Sequence, residues 1–174
     1  MTATENPAFE PSLQTEIARL GVLCKSKGLH VGTAESCTGG LLAAAFTGVS
    51  GASDWFRGGV VSYALSVKEN LLGVNHETLA ANGPVSAPVA EAMARGALRT
   101  LGCELALSIT GQAGPKPDGL SPEPVGTVYV GWADSSGAGA LRFSFPGDRS
   151  AVRHAAVQNA VSLLLTRLSA PPRS

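Results

Sequence analysis

Hydrophobic positions along the chain alternate between helical spacing and short uninterrupted runs. Between Leu13 and Cys24 they recur every three or four residues, which predicts a first helix with Ser12 as its cap and Gly28 as its end. The same patterns predict strands at 29–33, 56–63, 105–109, 127–133 and 141–145, and helices at 41–48, 67–72, 76–81, 86–101 and from Asp148 onward.

Helices and strands interleave in the first two thirds of the chain, and a hairpin with a turn at 134–137 follows. This order, αβαβαααβββα, predicts an α/β fold of one domain: a three-layer α/β/α sandwich with a mixed, mostly parallel sheet. We place the domain at residues 12–168 and expect flexible tails at 1–11 and 169–174. The glycine pair at 58–59 inside a strand predicts a bulge or a close backbone approach.

Composition narrows the class of partner. The chain has 174 residues, 44% of them hydrophobic and 15% charged, with a formal net charge of zero. A globular chain without a basic excess is a poor candidate for binding nucleic acid. Three widely spaced cysteines predict reduced thiols and a cytoplasmic location, and neither a membrane-spanning run nor a secretory signal is evident. We therefore expect a small-molecule ligand, and an exposed Trp55-Phe56 pair predicts a homo-oligomer.

The segment 33–40, TAESCTGG, joins a predicted strand to a predicted helix. Helix N-termini favour anions, so main-chain N–H groups at Gly39 and Gly40 are candidates to bind phosphate or an oxyanion. Ser36 and Cys37 are both potential nucleophiles there. The simpler interpretations are that the serine only caps the helix, that the glycines only permit a turn, and that the cysteine is a small buried apolar group.

Six ordered motifs resemble the CinA C-terminal domain family: TAESCTGG, GGVVSYALSVKENLLGV, GPVS, SITGQAGP, PVGTVYVGW and FPGDRSAVRHAA. The resemblance extends from about residue 12 to about residue 168, and this chain resembles the stand-alone form. It implies a three-layer α/β/α fold and hydrolysis of the carboxamide of nicotinamide mononucleotide, as in pyridine nucleotide recycling. It implies no metal and no cofactor.

The catalytic residues follow from the same resemblance. It implies that Ser36 is the nucleophile and that Lys68 is the base, with Tyr63 relaying the proton or orienting the lysine. A lysine must be neutral to act as a base, so its pKa must fall from about 10.4 to about 7–8, and burial is one cause of such a fall. The simpler interpretation of Lys68 is a solvated helix lysine.

Thr110 and Gly111 end a predicted strand, and ligands gather outside the carboxyl ends of strands in open α/β sheets, so this loop is expected to line the same pocket as Ser36. Two arginines at the start of the last predicted helix are further candidates. Arg149 and Arg153 lie four residues apart, which predicts a clamp on a phosphate; surface pairing with Asp148 is the alternative for Arg149. The predicted oxyanion and substrate-binding residues are Thr38, Gly39, Gly40, Thr110, Gly111 and Gln112.

Two departures from the family pattern leave other functions open. Ala64-Leu65 stands where a small polar pair is expected, and Gln112 stands where an aliphatic residue is usual. The alternative function is a non-catalytic nucleotide-binding or partner-binding module of the competence or damage-inducible type. A third possibility is a hydrolase that uses Cys37, whose pKa a helix N-terminus would lower.

Overall fold

The structure, a computed structural model, describes residues 9–169. The predicted order of elements is confirmed, with one added turn of 3₁₀ helix at Ala52–Asp54. The helices are α1 (Pro11–Lys27), α2 (Leu41–Thr47), α3 (Leu65–Leu72), α4 (His76–Asn82), α5 (Ala87–Leu101) and α6 (Arg149–Ser169). The strands are β1 (Val31–Glu35), β2 (Phe56–Val61), β3 (Leu105–Gly111), β4 (Thr127–Asp134) and β5 (Gly137–Ser144).

The five strands form one mixed sheet in the order β2-β1-β3-β4-β5. Strand β1 pairs in parallel with β2 and β3, whereas β4 is antiparallel to both β3 and β5. Four of the five strands therefore run in one direction. In the register, Glu35 of β1 lies opposite Val61 and Ile109, so the carboxyl ends of three parallel strands meet at one edge.

Helices cover both faces of the sheet, which confirms the three-layer sandwich. Helices α1, α2 and α6 share one core with β1, β3 and β4, and helices α3, α4 and α5 share the other. Helix α5 crosses the sheet and contacts all five strands. Its apolar side, with Val89, Met93 and Ala97, is fully buried there. The polar residues at the carboxyl ends of the strands, such as Glu35 and Thr110, are buried but belong to neither apolar core.

The glycine pair in β2 behaves as the sequence predicts. The register between β1 and β2 shifts by one residue at Arg57, and Gly58 has a positive φ of 141°. A Cβ at Gly59 would collide with Thr33 Oγ1 of the neighbouring strand. The bulge and the close approach both occur, and they set the position at which β2 ends beside β1.

Two predictions about the periphery are wrong. Glu10, not Ser12, occupies the N-cap position of α1, and no side chain caps it. Phe9 is buried in the core, so the packing extends to residue 9, and the domain limits of 12 and 168 stay a prediction; residues 1–8 and 170–174 of the predicted tails lie outside the described residues. Trp55 is only 2% exposed because it packs edge-on against Phe46, which removes the argument for a homo-oligomer. Oligomerisation itself stays a prediction.

Across residues 9–169, we find no helix with the length and apolar character that a membrane crossing requires.

Candidate active site

The site is built at the carboxyl ends of β1, β2 and β3. Ser36 directly follows β1, and its N–H donates to the Ile109 carbonyl at 2.9 Å, which continues the pairing of β1 with β3. Ser62 directly follows β2, and its N–H donates to the Glu35 carbonyl at 2.7 Å. These two bonds fix the chain on both sides of β1 and leave the Ser36 side chain half-buried at the mouth of a pocket.

Lys68 brings an amine to Ser36 from the first turn of α3. Its side chain is 1% exposed, and Nζ lies 3.0 Å from Ser36 Oγ. The amine also donates to the Ser62 carbonyl by a short hydrogen bond, and more weakly to the Tyr63 carbonyl at 3.5 Å. The predicted meeting of Ser36 and Lys68 is therefore present in the structure.

Burial changes the protonation of Lys68. Desolvation lowers the pKa of Lys68 to about 8, although the nearby Cys37 and Asp118 act in the opposite direction. Carbonyl oxygens neutralise no charge, so they compensate only in part for the water that the ammonium has lost. A pKa near 8 makes a substantial fraction of the amine neutral at slightly alkaline pH, which is what a general base requires.

The side chain of Glu35 occupies the N-terminus of α2, where the sequence predicts that a ligand binds. Its buried carboxylate accepts N–H bonds from Gly40, Leu42 and Ala43 at 3.1, 3.0 and 2.8 Å. The N–H of Gly39 donates to the Ser36 carbonyl at 3.0 Å. The geometry argues against Gly39 and Gly40 as oxyanion donors, because both N–H groups are already hydrogen-bonded and neither residue lines the pocket; their role stays a prediction.

The main-chain N–H of Cys37 is not occupied by another residue within residues 9–169, unlike those of Gly39 and Gly40. Within the described chain it donates to no main-chain carbonyl and no side chain of another residue. The residue adjoins Ser36 and lines the same pocket.

The thiol of Cys37 is 6% exposed, and burial raises the pKa of Cys37 to about 12 rather than lowering it. The expected thiol activation by the helix is absent, which argues against a Cys37 nucleophile.

A cavity of about 390 Å³ opens beside Ser36. This volume lies within the range of small-ligand sites. Both departures from the family pattern, Ala64-Leu65 and Gln112, lie in its walls, together with the loop after β3. Its lining residues are Ser36, Cys37, Tyr63, Ala64, Leu65, Lys68, Pro84, Val85, Thr110, Gly111, Gln112, Ala113, Gly114, Lys116, Asp118, Leu120 and Arg149.

The residues predicted at the end of β3 all reach this cavity. Thr110 is buried, and its hydroxyl donates to the Pro84 carbonyl at 2.8 Å. Gly111 has no room for a side chain, because a Cβ would lie 2.7 Å from the Thr127 carbonyl oxygen.

Tyr63 lines the cavity but is 64% exposed, and its phenol has no hydrogen-bond partner within residues 9–169. Only the Tyr63 carbonyl contacts Lys68, so a phenolic proton relay has no support in the geometry.

Of the two arginines predicted to bind phosphate, Arg149 lines the cavity and Arg153 does not. Arg149 lines the cavity and donates to the Gly114 carbonyl at 2.8 Å. Arg153 lies outside the cavity, where it donates to the Thr38 carbonyl at 2.8 Å. Thr38 is fully buried and does not line the cavity, which argues against a contact with substrate. Arg153 supports the turn that follows Ser36, and phosphate binding by the two arginines stays a prediction.

Sequence reasoning missed Lys116 and Asp118, which lie in a loop without periodicity between β3 and β4. It also missed the role of Ser62, whose carbonyl holds the lysine amine. The signal that was available was Gln112: a buried amide at an otherwise apolar position needs a polar partner, and that partner is Asp118.

No group of three or more histidine, cysteine, aspartate or glutamate side chains suited to a metal ion occurs within the described part of the chain. The site is thus defined by a serine hydroxyl and a buried lysine amine at the sheet edge of an α/β sandwich.

Comparison with known proteins places this site in a family. The sequence profile of the CinA C-terminal domain matches residues 13–168, and the chain belongs to that family. It is 46% identical over 148 residues to the nicotinamide-nucleotide amidohydrolase PncC of Escherichia coli K12, covering 84% of this chain and 88% of that protein.

Two further comparisons agree. A CinA-like protein of Geobacter sulfurreducens is 46% identical over 157 residues, covering 90% of this chain, but the chain spans only 37% of that protein's length. The crystal structure of a CinA superfamily protein from Klebsiella pneumoniae superposes with a TM-score of 0.83 at 35% identity, covering 91% of this chain and 96% of that one. Sequence and fold therefore give the same assignment.

Proposed function

We propose that this protein hydrolyses the carboxamide of nicotinamide mononucleotide to nicotinic acid mononucleotide and ammonia, with Ser36 as nucleophile and Lys68 as base. The observation that carries the proposal is the 3.0 Å contact between Lys68 Nζ and Ser36 Oγ inside a ligand-sized cavity. The likeness to an enzyme named nicotinamide-nucleotide amidohydrolase supplies the substrate class.

The hydrogen-bond geometry suits a neutral lysine. A neutral amine has two N–H donors and one lone pair. The two donors match the carbonyls of Ser62 and Tyr63, which leaves the lone pair for the Ser36 hydroxyl. In this arrangement Ser36 donates its proton to Lys68, and the hydroxyl oxygen gains nucleophilic character.

The reaction then proceeds in two halves. Ser36 Oγ attacks the carboxamide carbon while Lys68 Nζ takes the hydroxyl proton, and the oxyanion that forms accepts the N–H of Cys37. The C–N bond breaks as Lys68 returns the proton to the departing ammonia, which leaves an ester on Ser36. Water, deprotonated by Lys68, attacks the ester carbon, and the carboxylate is released as the Ser36 hydroxyl is restored.

The test is to incubate purified protein with nicotinamide mononucleotide, measure ammonia and identify the nucleotide product by mass spectrometry. We expect one ammonia per nicotinic acid mononucleotide, and a loss of about 10³-fold or more in kcat for Ser36→Ala. Ser66→Ala is the matched control, because Ser66 is an exposed serine of α3 outside the cavity.

Turnover that survives Ser36→Ala would reject the mechanism. Binding of the mononucleotide by calorimetry without any turnover would instead select the non-catalytic binding module.

A further inference from the structure

Three charged side chains of the cavity form no salt bridge within residues 9–169. They are Asp118, Lys116 and Arg149. Asp118 is also the one carboxylate among the described lining residues. Unpaired charges of both signs on the wall of one cavity are complementary to a ligand that itself carries both signs.

The position of the Asp118 carboxylate is fixed from the core. Gln112, which is 3% exposed at the end of β3, donates from Nε2 to Asp118 Oδ1 at 2.7 Å and accepts the Asp118 N–H at 3.1 Å. The N–H of Leu120 also donates to Asp118 Oδ1, at 2.9 Å. Oδ1 therefore orients the group, while Oδ2 has no partner within the described residues.

Burying the Gln112 amide and holding Asp118 in one conformation both cost free energy, which is unexpected unless Asp118 has a function in the cavity. The glutamine needs its hydrogen bonds satisfied, and the aspartate loses side-chain freedom when it is held. The pair therefore functions as a two-residue unit in which Gln112 positions Asp118 against the cavity.

The proposed substrate carries the matching charge. The nicotinamide ring of a mononucleotide is bonded to ribose through its ring nitrogen and is therefore a cation, whereas the phosphate is an anion. Resting on the proposed function, we propose that Asp118, positioned by Gln112, is a specificity residue that selects substrates with a cationic N-ribosyl pyridinium ring over neutral aromatic carboxamides. Lys116 and Arg149 supply the opposite charge for the phosphate.

Asp118 is close enough to affect the reacting groups. Its charge opposes the desolvation that lowers the pKa of Lys68. The other titratable groups that face this space are Cys37, Tyr63, Lys116 and Arg149. A second effect of Asp118→Asn is therefore a shift of the acid limb of the rate profile to lower pH, and the specificity test must be made on the pH plateau.

The test compares nicotinamide mononucleotide with 3-ribosylbenzamide 5′-monophosphate, whose ring is neutral and whose carboxamide is otherwise the same. We expect Asp118→Asn to lower kcat/KM for the cationic substrate about tenfold and for the neutral one by less than about threefold. Gln112→Leu, which removes both tethering bonds, should lower the same ratio by a smaller factor. Glu77→Gln, an exposed carboxylate outside the cavity, is the charge-matched control and should leave the ratio unchanged.

An equal loss on both substrates would overturn the inference, because it would show that Asp118 only supports the loop. If the wild-type protein hydrolyses neither compound, the proposed function fails, and the inference is then judged by calorimetry. In that case Asp118→Asn should weaken binding of the cationic compound and not of the neutral one, and equal affinities would overturn the inference.

Discussion

Lys68 Nζ lies 3.0 Å from Ser36 Oγ, although the two residues are 32 positions apart in the chain. Two backbone contacts make the approach possible. The Ser62 N–H joins the end of β2 to the Glu35 carbonyl, and the Ser62 carbonyl then accepts the lysine amine. The short distance between Lys68 and Ser36 arises because β1 and β2 end side by side and because α3, which carries Lys68, follows β2 directly in the chain.

Replacing Lys68 should abolish catalysis. We expect Lys68→Met to lower kcat by about 10³-fold, because general-base transfer contributes about 10²–10⁴-fold and, within residues 9–169, Lys68 is the titratable side chain hydrogen-bonded to the Ser36 hydroxyl. Lys68→Arg should not rescue activity, since a guanidinium stays protonated. Steady-state ammonia release measures both variants, and circular dichroism checks the fold. Substantial activity in Lys68→Arg would contradict the role of a neutral amine.

The rate should depend on pH through Lys68. Since desolvation lowers the pKa of this amine to about 8, we expect kcat/KM to rise with pH and to level off above about pH 8. The measurement is kcat/KM between about pH 6 and pH 9.5. A rate that is flat across this range would exclude a lysine base with the lowered pKa.

The same shift makes stability depend on pH. Between about 8 and the ordinary value of 10.5 the folded protein binds fewer protons at Lys68 than the unfolded chain does. The penalty for the buried ammonium is therefore complete below pH 8 and is relieved as the pH rises to 10.5. Relative to Lys68→Met, the wild type should gain on the order of 3 kcal/mol across this window. Urea unfolding of both proteins at several pH values measures the gain, and parallel curves would contradict it.

Arg149 should act on the phosphate alone. We expect Arg149→Ala to raise KM for nicotinamide mononucleotide about tenfold and to change KM for the riboside, which lacks phosphate, much less. Arg153→Ala is the control, because Arg153 binds the Thr38 carbonyl outside the cavity. If Arg153→Ala changed the ratio of the two KM values and Arg149→Ala did not, the assignment of the phosphate ligand would be reversed.

Glu35 should contribute to stability rather than to chemistry. Its carboxylate accepts three N–H bonds at the start of α2, so Glu35→Ala should cost about 2–4 kcal/mol in the free energy of unfolding. Glu35→Gln, with one acceptor oxygen left, should cost less. Glu77→Ala, at an exposed position, should stay within about 0.5 kcal/mol of wild type. A neutral Glu35→Ala in urea unfolding would contradict the capping role.

The sequence predicts the fold well because local signals decide it. Apolar periodicity locates the six α-helices and five strands of residues 9–169 but not the 3₁₀ turn Ala52–Asp54, and glycines end α1, α3 and α5 in left-handed conformations at Gly28, Gly73 and Gly102. The edge-on contact between Trp55 and Phe46 is not predictable in this way. It depends on how Phe46 of α2 packs after the chain has folded, and a local pattern contains no information about that.

The site is predicted in part. The residues at strand ends, such as Ser36 and Thr110, follow from the rule that ligands gather at that edge. Whether a donor or acceptor is already paired does not follow from these patterns, because it depends on the folded conformation of the turn or loop that contains it. Gly40 is a typical anion donor in isolation, yet Glu35 already occupies its N–H. Asp118 becomes visible only once the loop is folded against Gln112.

The most direct test of the Ser36–Lys68 pair is its reactivity toward an aryl sulfonyl fluoride, which modifies activated serine hydroxyls. The protein is treated at pH 8 with about a tenfold excess of reagent, and the modified peptide is located by mass spectrometry. We expect labelling of Ser36 in the wild type and labelling at least about 10²-fold slower in Lys68→Met. Equal labelling rates in the two proteins, or labelling of another residue in place of Ser36, would contradict the claim that the buried amine activates this hydroxyl.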